Sequence, residues 1–282
     1  MKNNINICAI CFIFITILSL APLSADDVGE IFPICTNALG QSSPSVSGNI
    51  VVWVDDRNGN NDIYGYDLST NTEFPVCTNA LGQSNPSVSG NIVVWQDERN
   101  GNFDIYGYDI STDTEFPVCI GASNIFCPSV SGNIVVWQDN RNGNFDIYRY
   151  DLTTDTEFPI CTAASNQTQP FVSGNIVAWS DDRNGNSDIY GYDLTTDTEF
   201  PICTAALNQS GPSISGNIVV WQDNRNGNPD VYGYDLTTDT EFPICTAASN
   251  QYFLSISGNI VVWTDNRNGN SDIYGADLLP AQ

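Results

Sequence analysis

The residues that could do chemistry in this chain are carboxylates, arginines and amides, set in one recurring order. In the copy beginning at Asp139 the order is Asp139, Arg141, Asn142, Gly143, Asn144 and Asp146. Arg-Asn-Gly-Asn recurs from Arg57, Arg99, Arg141, Arg183, Arg225 and Arg267. Two chemistries suit these groups. An oxygen-rich loop with a glycine has the ligand type of calcium, with Asp139, Asn142 and Asp146 as the candidate ligands, although the Asp-x-Asp-x-Asp-Gly spacing of calcium loops is absent. Paired carboxylates hydrolyse glycosidic bonds, which leaves a polysaccharide-acting enzyme using carboxylates at the mouth of a central channel as one reading. The chain has no histidine, so Ser-His-Asp and Cys-His catalysis and histidine-ligated metals are excluded. An acid present in six copies reads more simply as a building part, with Asp55 and Arg57 placed to pair across their turn.

The cysteines divide in the same way. Cys35, Cys77, Cys119, Cys161, Cys203 and Cys245 keep one spacing, while Cys8 and Cys11 fall in an apolar N-terminal stretch. Equivalent points of neighbouring repeats lie too far apart for the ~4.4–6.8 Å Cα spacing of a disulfide. These six read as small buried apolar residues. Cys127 alone is out of register, and a Cys119–Cys127 bridge is the one pairing open to it.

The elements that must position these groups follow from the repeat. Trp53, Trp95, Trp137, Trp179, Trp221 and Trp263 are each 42 residues apart. Within the third repeat, Pro128–Ser131 reads as an inner strand A, and Gly132-Asn133 as a tight turn. Ile134–Trp137 reads as strand B, apolar on both faces, and Asp146–Asp151 as an alternating strand C. Glu157–Cys161 is an outer strand D, because its proline cannot donate to a ladder. Four short antiparallel strands per ~40–45 residues is the pattern of a β-propeller. The fold expected is all-β: a six-bladed β-propeller with four antiparallel strands per blade. The last repeat lacks a strand D and the first has an extra one in front, so Ile31–Cys35 is expected to complete the last blade and close the ring.

Lys2, the apolar run Ile5–Leu20 and Leu23-Ser24-Ala25 read as a signal peptide over 1–25, followed by the propeller over 26–282. An uncleaved signal anchor is the one membrane attachment in view. Acidic residues number 33 against 8 basic ones, which excludes the basic surface that nucleic acid requires.

The Asp139-x-Arg141-x-Gly143-x-x-Asp146-Ile147-Tyr148 stretch with Tyr150-Asp151 resembles the TolB-like six-bladed propeller family. Ser-Gly-Asn-Ile-Val-Val-Trp followed by that stretch resembles more closely the propeller repeats of archaeal cell-surface proteins. The resemblance covers nearly all of 26–282 and implies an extracellular or surface-attached interaction module.

Function is sought where the repeats differ. Phe103 and Phe145 replace Asn61, Ser187, Pro229 and Ser271 in the B–C turns, and Ile125-Phe126 replaces Gln-Ser or Gln-Thr in a D–A loop. Phe171 replaces a strand A serine and Arg149 a strand C glycine. These six are the candidate binding residues, with Tyr252, Phe253 and Leu254 as a second group. Grouped aromatics on a loop face mark contact surfaces. The expectation is a secreted or cell-surface, monomeric, non-catalytic module without a cofactor, binding an extracellular protein or glycan. A structural component of a surface layer is the remaining alternative. Asn166-Gln-Thr168 and Asn208-Gln-Ser210 are glycosylation sequons on D–A loops.

Overall fold

The computed structural model describes residues 32–121 and 123–278. The expected signal peptide, 1–25, lies outside these residues. The described residues fall in two units, Phe32–Ile34 in the first and 35–278 in the second. In the first unit, the described residues Phe32–Ile34 form no strand.

The second unit is a β-propeller of six antiparallel sheets. Blade 1 runs Gln41–Ser47, Ile50–Asp55, Asp62–Asp67 and Thr72–Cys77, and strands A to D of each sheet neighbour one another in that order. Blades 2 to 5 repeat this arrangement, while the sixth sheet holds three strands, Gln251–Ser257, Ile260–Asp265 and Asp272–Asp277. No helix occurs among the described residues.

Two elements are longer than the sequence pattern predicts. Strand A of blade 3 begins at Ile125, ahead of the Pro-Ser-Val-Ser segment, and its ladder shifts between Val136 and Gln138. The residue before the proline is the irregular one: Ser43, Asn85, Cys127 and Gln169 all have φ of 50–55°. This bulge carries the strand past a residue that cannot donate. Strand B extends to Asp139, paired with Asp146 across the sheet. The turn aspartates are therefore strand residues.

Strand B is buried from both sides, as its continuous apolar run requires. Val93, Val94 and Trp95 are fully buried, as are Val135, Val136 and Trp137. Neighbouring blades are also stitched at the centre. Ser87 Oγ accepts from Val130 N at 3.2 Å and Ser89 Oγ from Gly132 N at 3.0 Å. The same pair of bonds joins blade 3 to blade 4.

The expected ring closure is not observed. Phe32–Cys35 form no strand, Ile31 lies outside the described residues, and strand C of blade 6 is the edge of its sheet. Ile273 on that edge is 76% exposed, whereas its counterparts Ile63, Ile105, Ile147 and Ile189 are fully buried. Val46 of blade 1 is 65% exposed against 6% for Val88 and Val130. Every other strand D follows its strand C through a short turn. A closing strand from the far end of the chain has no such local delivery and must meet the entropy of a much longer loop. Cys35 nevertheless lies against blade 1 as Cys77 lies against blade 2: Arg57 donates to Cys35 Sγ at 3.3 Å and Arg99 to Cys77 Sγ at 3.3 Å.

Candidate functional site

The repeated acids are engaged by the frame. Asp223 is fully buried; its Oδ2 accepts from Trp221 Nε1 at 3.0 Å and from the Arg225 guanidinium at 2.6 Å, and its Oδ1 accepts from Arg225 N at 2.8 Å. Arg225 also reaches Glu241 at 2.5 Å and lies 4.3 Å over the Tyr232 ring. Burial alone would raise the carboxyl pKa, but the Arg225 and Trp221 hydrogen bonds outweigh it and hold the group below its ordinary range. The same arrangement of Arg57 on Asp55 confirms that pairing. Cys203 lies beside it, with Arg225 donating to its Sγ at 3.0 Å. Burial, the largest influence, and the Glu241 charge push this thiol up to about 12, so it is a poor nucleophile at neutral pH.

The calcium candidates are brought only partly together. Asn142 Nδ2 donates to Asp146 Oδ2 at 2.7 Å and to the Tyr148 hydroxyl at 2.9 Å, and Asn144 Nδ2 donates to Asp146 Oδ1 at 2.8 Å. Asp139 faces Arg141 instead. As placed, the loop meets its own hydrogen-bonding needs, and Asn144 bonds onward to the carbonyls of Ala163 and Ser165. Among the described residues no cluster of three or more His, Cys, Asp or Glu side chains is arranged to hold a metal.

The B–C turns and D–A loops share one face, joined by bonds such as Asn102 Nδ2 to the carbonyls of Gly121 and Ser123. On this face the structure gathers three of the six candidate residues. Phe103 and Phe126 have ring centroids 5.2 Å apart, and Phe126 and Phe145 are 5.8 Å apart edge to face. The three rings are half-buried and span the seam of blades 2 and 3. Backbone bonds fix two of them: Phe103 O accepts from Ile125 N at 3.1 Å, and Phe145 O accepts from Gln167 N at 2.7 Å. Ile125 is fully buried beneath them. It stands where Gln83, Gln167, Gln209 and Gln251 stand in other blades, and is core rather than surface.

The other two candidates lie elsewhere. Phe171 replaces the stitching serine and lines the central channel, 42% exposed. Arg149 lies in the outer wall, 5.1 Å from the Phe158 ring and 3.4 Å from Asp197 of the next blade. In blades 1, 2, 4 and 5 the equivalent phenylalanine covers a glycine so closely that a Cβ on Gly191 would come within 2.7 Å of Phe200. Arg149 fills that space, and Phe158 is turned out to 43% exposure.

Sequence reasoning weighed the channel only as a seat for carboxylate catalysis and not for the residues of its wall. Its wall includes Ser43, Asn85, Cys127 and Gln169, the residues at the bulge before each proline, and no carboxylate. The signal available was the variation just before the proline. Cys127 belongs to this wall, while Cys119 lies against Glu157 and Arg141. Both are free thiols, so the bridge open to them is not formed.

No protein-family profile matches the chain, and no curated protein matches it. Solved structures do. TolB from Acinetobacter baumannii is 21% identical with a TM-score of 0.54, over 74% of this chain and 55% of that one. The chain thus spans about half the length of that protein. A putative TolB from Agrobacterium tumefaciens is 17% identical with a TM-score of 0.55, over 86% of this chain and 84% of that one. The acylaminoacyl peptidase of Pyrococcus horikoshii is 15% identical with a TM-score of 0.62, over 84% of this chain and 44% of that one. At these identities the likeness is one of fold: the chain is a six-bladed β-propeller similar to those of TolB proteins and of propeller-bearing peptidases.

Proposed function

We propose that the chain is a secreted or cell-surface propeller that binds an extracellular protein or glycan through its loop face, without catalysis. The observation that carries this reading is the Phe103–Phe126–Phe145 cluster at the seam of blades 2 and 3. Four other blades place asparagine, serine or proline where Phe103 and Phe145 stand, so the blade does not need rings there. Partly exposed aromatics grouped on one face are strong contact residues. The acid-free channel wall and the engagement of the repeated aspartates by Arg and Trp favour binding over glycoside hydrolysis. The acidic composition makes an electrostatically bound nucleic acid a poor partner.

The test is binding of residues 26–282 to a glycan array and to cell-envelope extracts, with and without calcium. Phe103→Ala with Phe145→Ala is expected to weaken binding at least tenfold while shifting stability by about 1 kcal/mol or less, the range of half-exposed positions. Binding unchanged in that variant would remove the site. Turnover of any glycan would replace this reading with the enzymatic one, and ordered self-assembly with no soluble ligand would replace it with the surface-layer one.

A further inference from the structure

Asn166-Gln167-Thr168 and Asn208-Gln209-Ser210 play no part in the binding reading, yet the fold presents them in the same way. Each asparagine is exposed in the D–A loop, immediately before strand A of its blade (Gln167–Ser173 and Gln209–Ser215). Each side chain is also oriented. Asn166 Oδ1 accepts from Phe145 N at 3.1 Å, and Asn208 Oδ1 accepts from Ser187 N at 3.2 Å. A backbone N–H can only meet the amide oxygen, so this bond fixes which end of each amide faces the protein. Nδ2 is left outward, and it makes no hydrogen bond among the described residues. Thr168 and Ser210 carry the hydroxyl two positions on.

The equivalent loops show what is missing elsewhere. Asn124-Ile-Phe126 and Asn250-Gln-Tyr252 have the asparagine but no Ser or Thr, and Asn250 Nδ2 is engaged by the Tyr252 hydroxyl at 3.2 Å. Gly40-Gln-Ser42 and Gly82-Gln-Ser84 have the hydroxyl but no asparagine. Only blades 4 and 5 combine an outward amide with the hydroxyl.

We infer that Asn166 and Asn208 are N-glycosylation sites, each accepting an oligosaccharide from a polyisoprenyl-phosphate-linked donor. In the transfer, Asn Nδ2 forms a bond to C1 of the first sugar as the C1–O bond to phosphate breaks. The lipid phosphate leaves with the electron pair, and the amide nitrogen gives up one proton. Oδ1 takes no part, so its bond to Phe145 or Ser187 survives modification. The inference rests on export of the chain; Asn166 bonds to the backbone of Phe145 in the aromatic contact site, whereas Asn208 bonds to Ser187 outside it.

The experiment is expression of the full chain, with its own N-terminal segment, in a secreting host that performs N-glycosylation. An Asn-Gly-Thr control tag follows Gln282. Amidase release of glycans in 18O-water and peptide mass spectrometry then read each asparagine. Glycan at Asn166 and Asn208 is expected, with one glycan lost in each of Asn166→Gln, Asn208→Gln, Thr168→Ala and Ser210→Ala. Bare Asn166 and Asn208 beside a glycosylated tag would overturn the inference. A bare tag would overturn it at its premise, since the chain would not have been exported. Neither result bears on the Phe103 cluster, which is tested by binding alone.

Discussion

The seam between blades 4 and 5 and the seam between blades 2 and 3 are built on the same frame, and comparing them separates what the frame needs from what it tolerates. At the first seam Gln209 is fully buried, its Nε2 bonded to Leu207 O at 2.7 Å, and Trp221 Nε1 donates to Asp223. At the second, Ile125 takes the glutamine's place, and Gly121 lies where Ala205 lies in the first. Asp139 has also turned. Arg141 engages its Oδ2 through Nε at 2.7 Å as well as through its terminal nitrogen, Ser123 Oγ takes Oδ1 at 2.9 Å, and Trp137 Nε1 has no partner among the described residues. One seam keeps the glutamine and tryptophan bonds of its polar wiring, although Gln209 Oε1 and Arg225 Nε have no partner among the described residues. The other has exchanged part of it for apolar contact, and the aromatic cluster stands above that exchange. A packed Trp-on-Tyr pair persists at both, with centroids 6.5 and 6.4 Å apart, so packing is common to the blades and hydrogen bonding is where they diverge.

Acid offers the broadest way to break the comparison, because it attacks the wiring and leaves the packing alone. Arg57 above all holds Asp55 below its ordinary pKa of 3.8. At Asp97 and Asp181 burial works the other way and is outweighed by Arg and Trp hydrogen bonds. A carboxyl depressed in the folded state contributes stability that is fully present above its unfolded pKa and is lost as pH falls through the folded one. Thermal unfolding should therefore be level from neutral pH down to about pH 4 and decline steeply below it. A melting temperature independent of pH between about 5 and 2 would show that these pairs do not support the fold.

A single pair makes the contrast local. Asp223→Ala leaves Arg225 without its buried partner and should cost about 3–5 kcal/mol. Asp139→Ala should cost about as much, because the bonds from Arg141 Nε and Ser123 Oγ stand in for the tryptophan bond that Asp223 accepts. Denaturant unfolding of the two variants compares them, and a clearly smaller cost at Asp139 would show that its Arg141 Nε and Ser123 contacts do not replace the tryptophan bond.

The smallest effect concerns the outer wall. Gly191→Ala drives a methyl into the Phe200 ring and should cost about 1–3 kcal/mol. The converse change, Arg149→Gly, reopens the space beneath Phe158 and should stay within about 1 kcal/mol of the parent. A large loss in Arg149→Gly would show instead that the contact to Asp197 is a structural tie between blades 3 and 4.

Much of the fold was legible because its signals are local. The 42-residue tryptophan period, the apolar run of strand B and the proline of strand D each report on a segment that builds its own hairpin. The bulge in strand A was not legible, since a left-handed residue before proline is disfavoured in isolation and persists here within the paired inner strand. Of the binding candidates, Phe103 and Phe145 were found by comparing copies, but so were Phe171 and Arg149, which the fold sends to the channel and the outer wall.

The sequence by itself determined the number of blades, the order of strands in each and the positions at which one blade departs from another. Those are set by residue types and short spacings, which the chain carries wherever it goes. Tertiary structure alone decided that Phe103, Phe126 and Phe145 share a surface while Ile125 is buried under it, and that 32–35 add no strand to blade 6. Rings from neighbouring blades meet only after two sheets have packed face to face, and a closing strand depends on contacts between distant parts of the chain that no local pattern encodes.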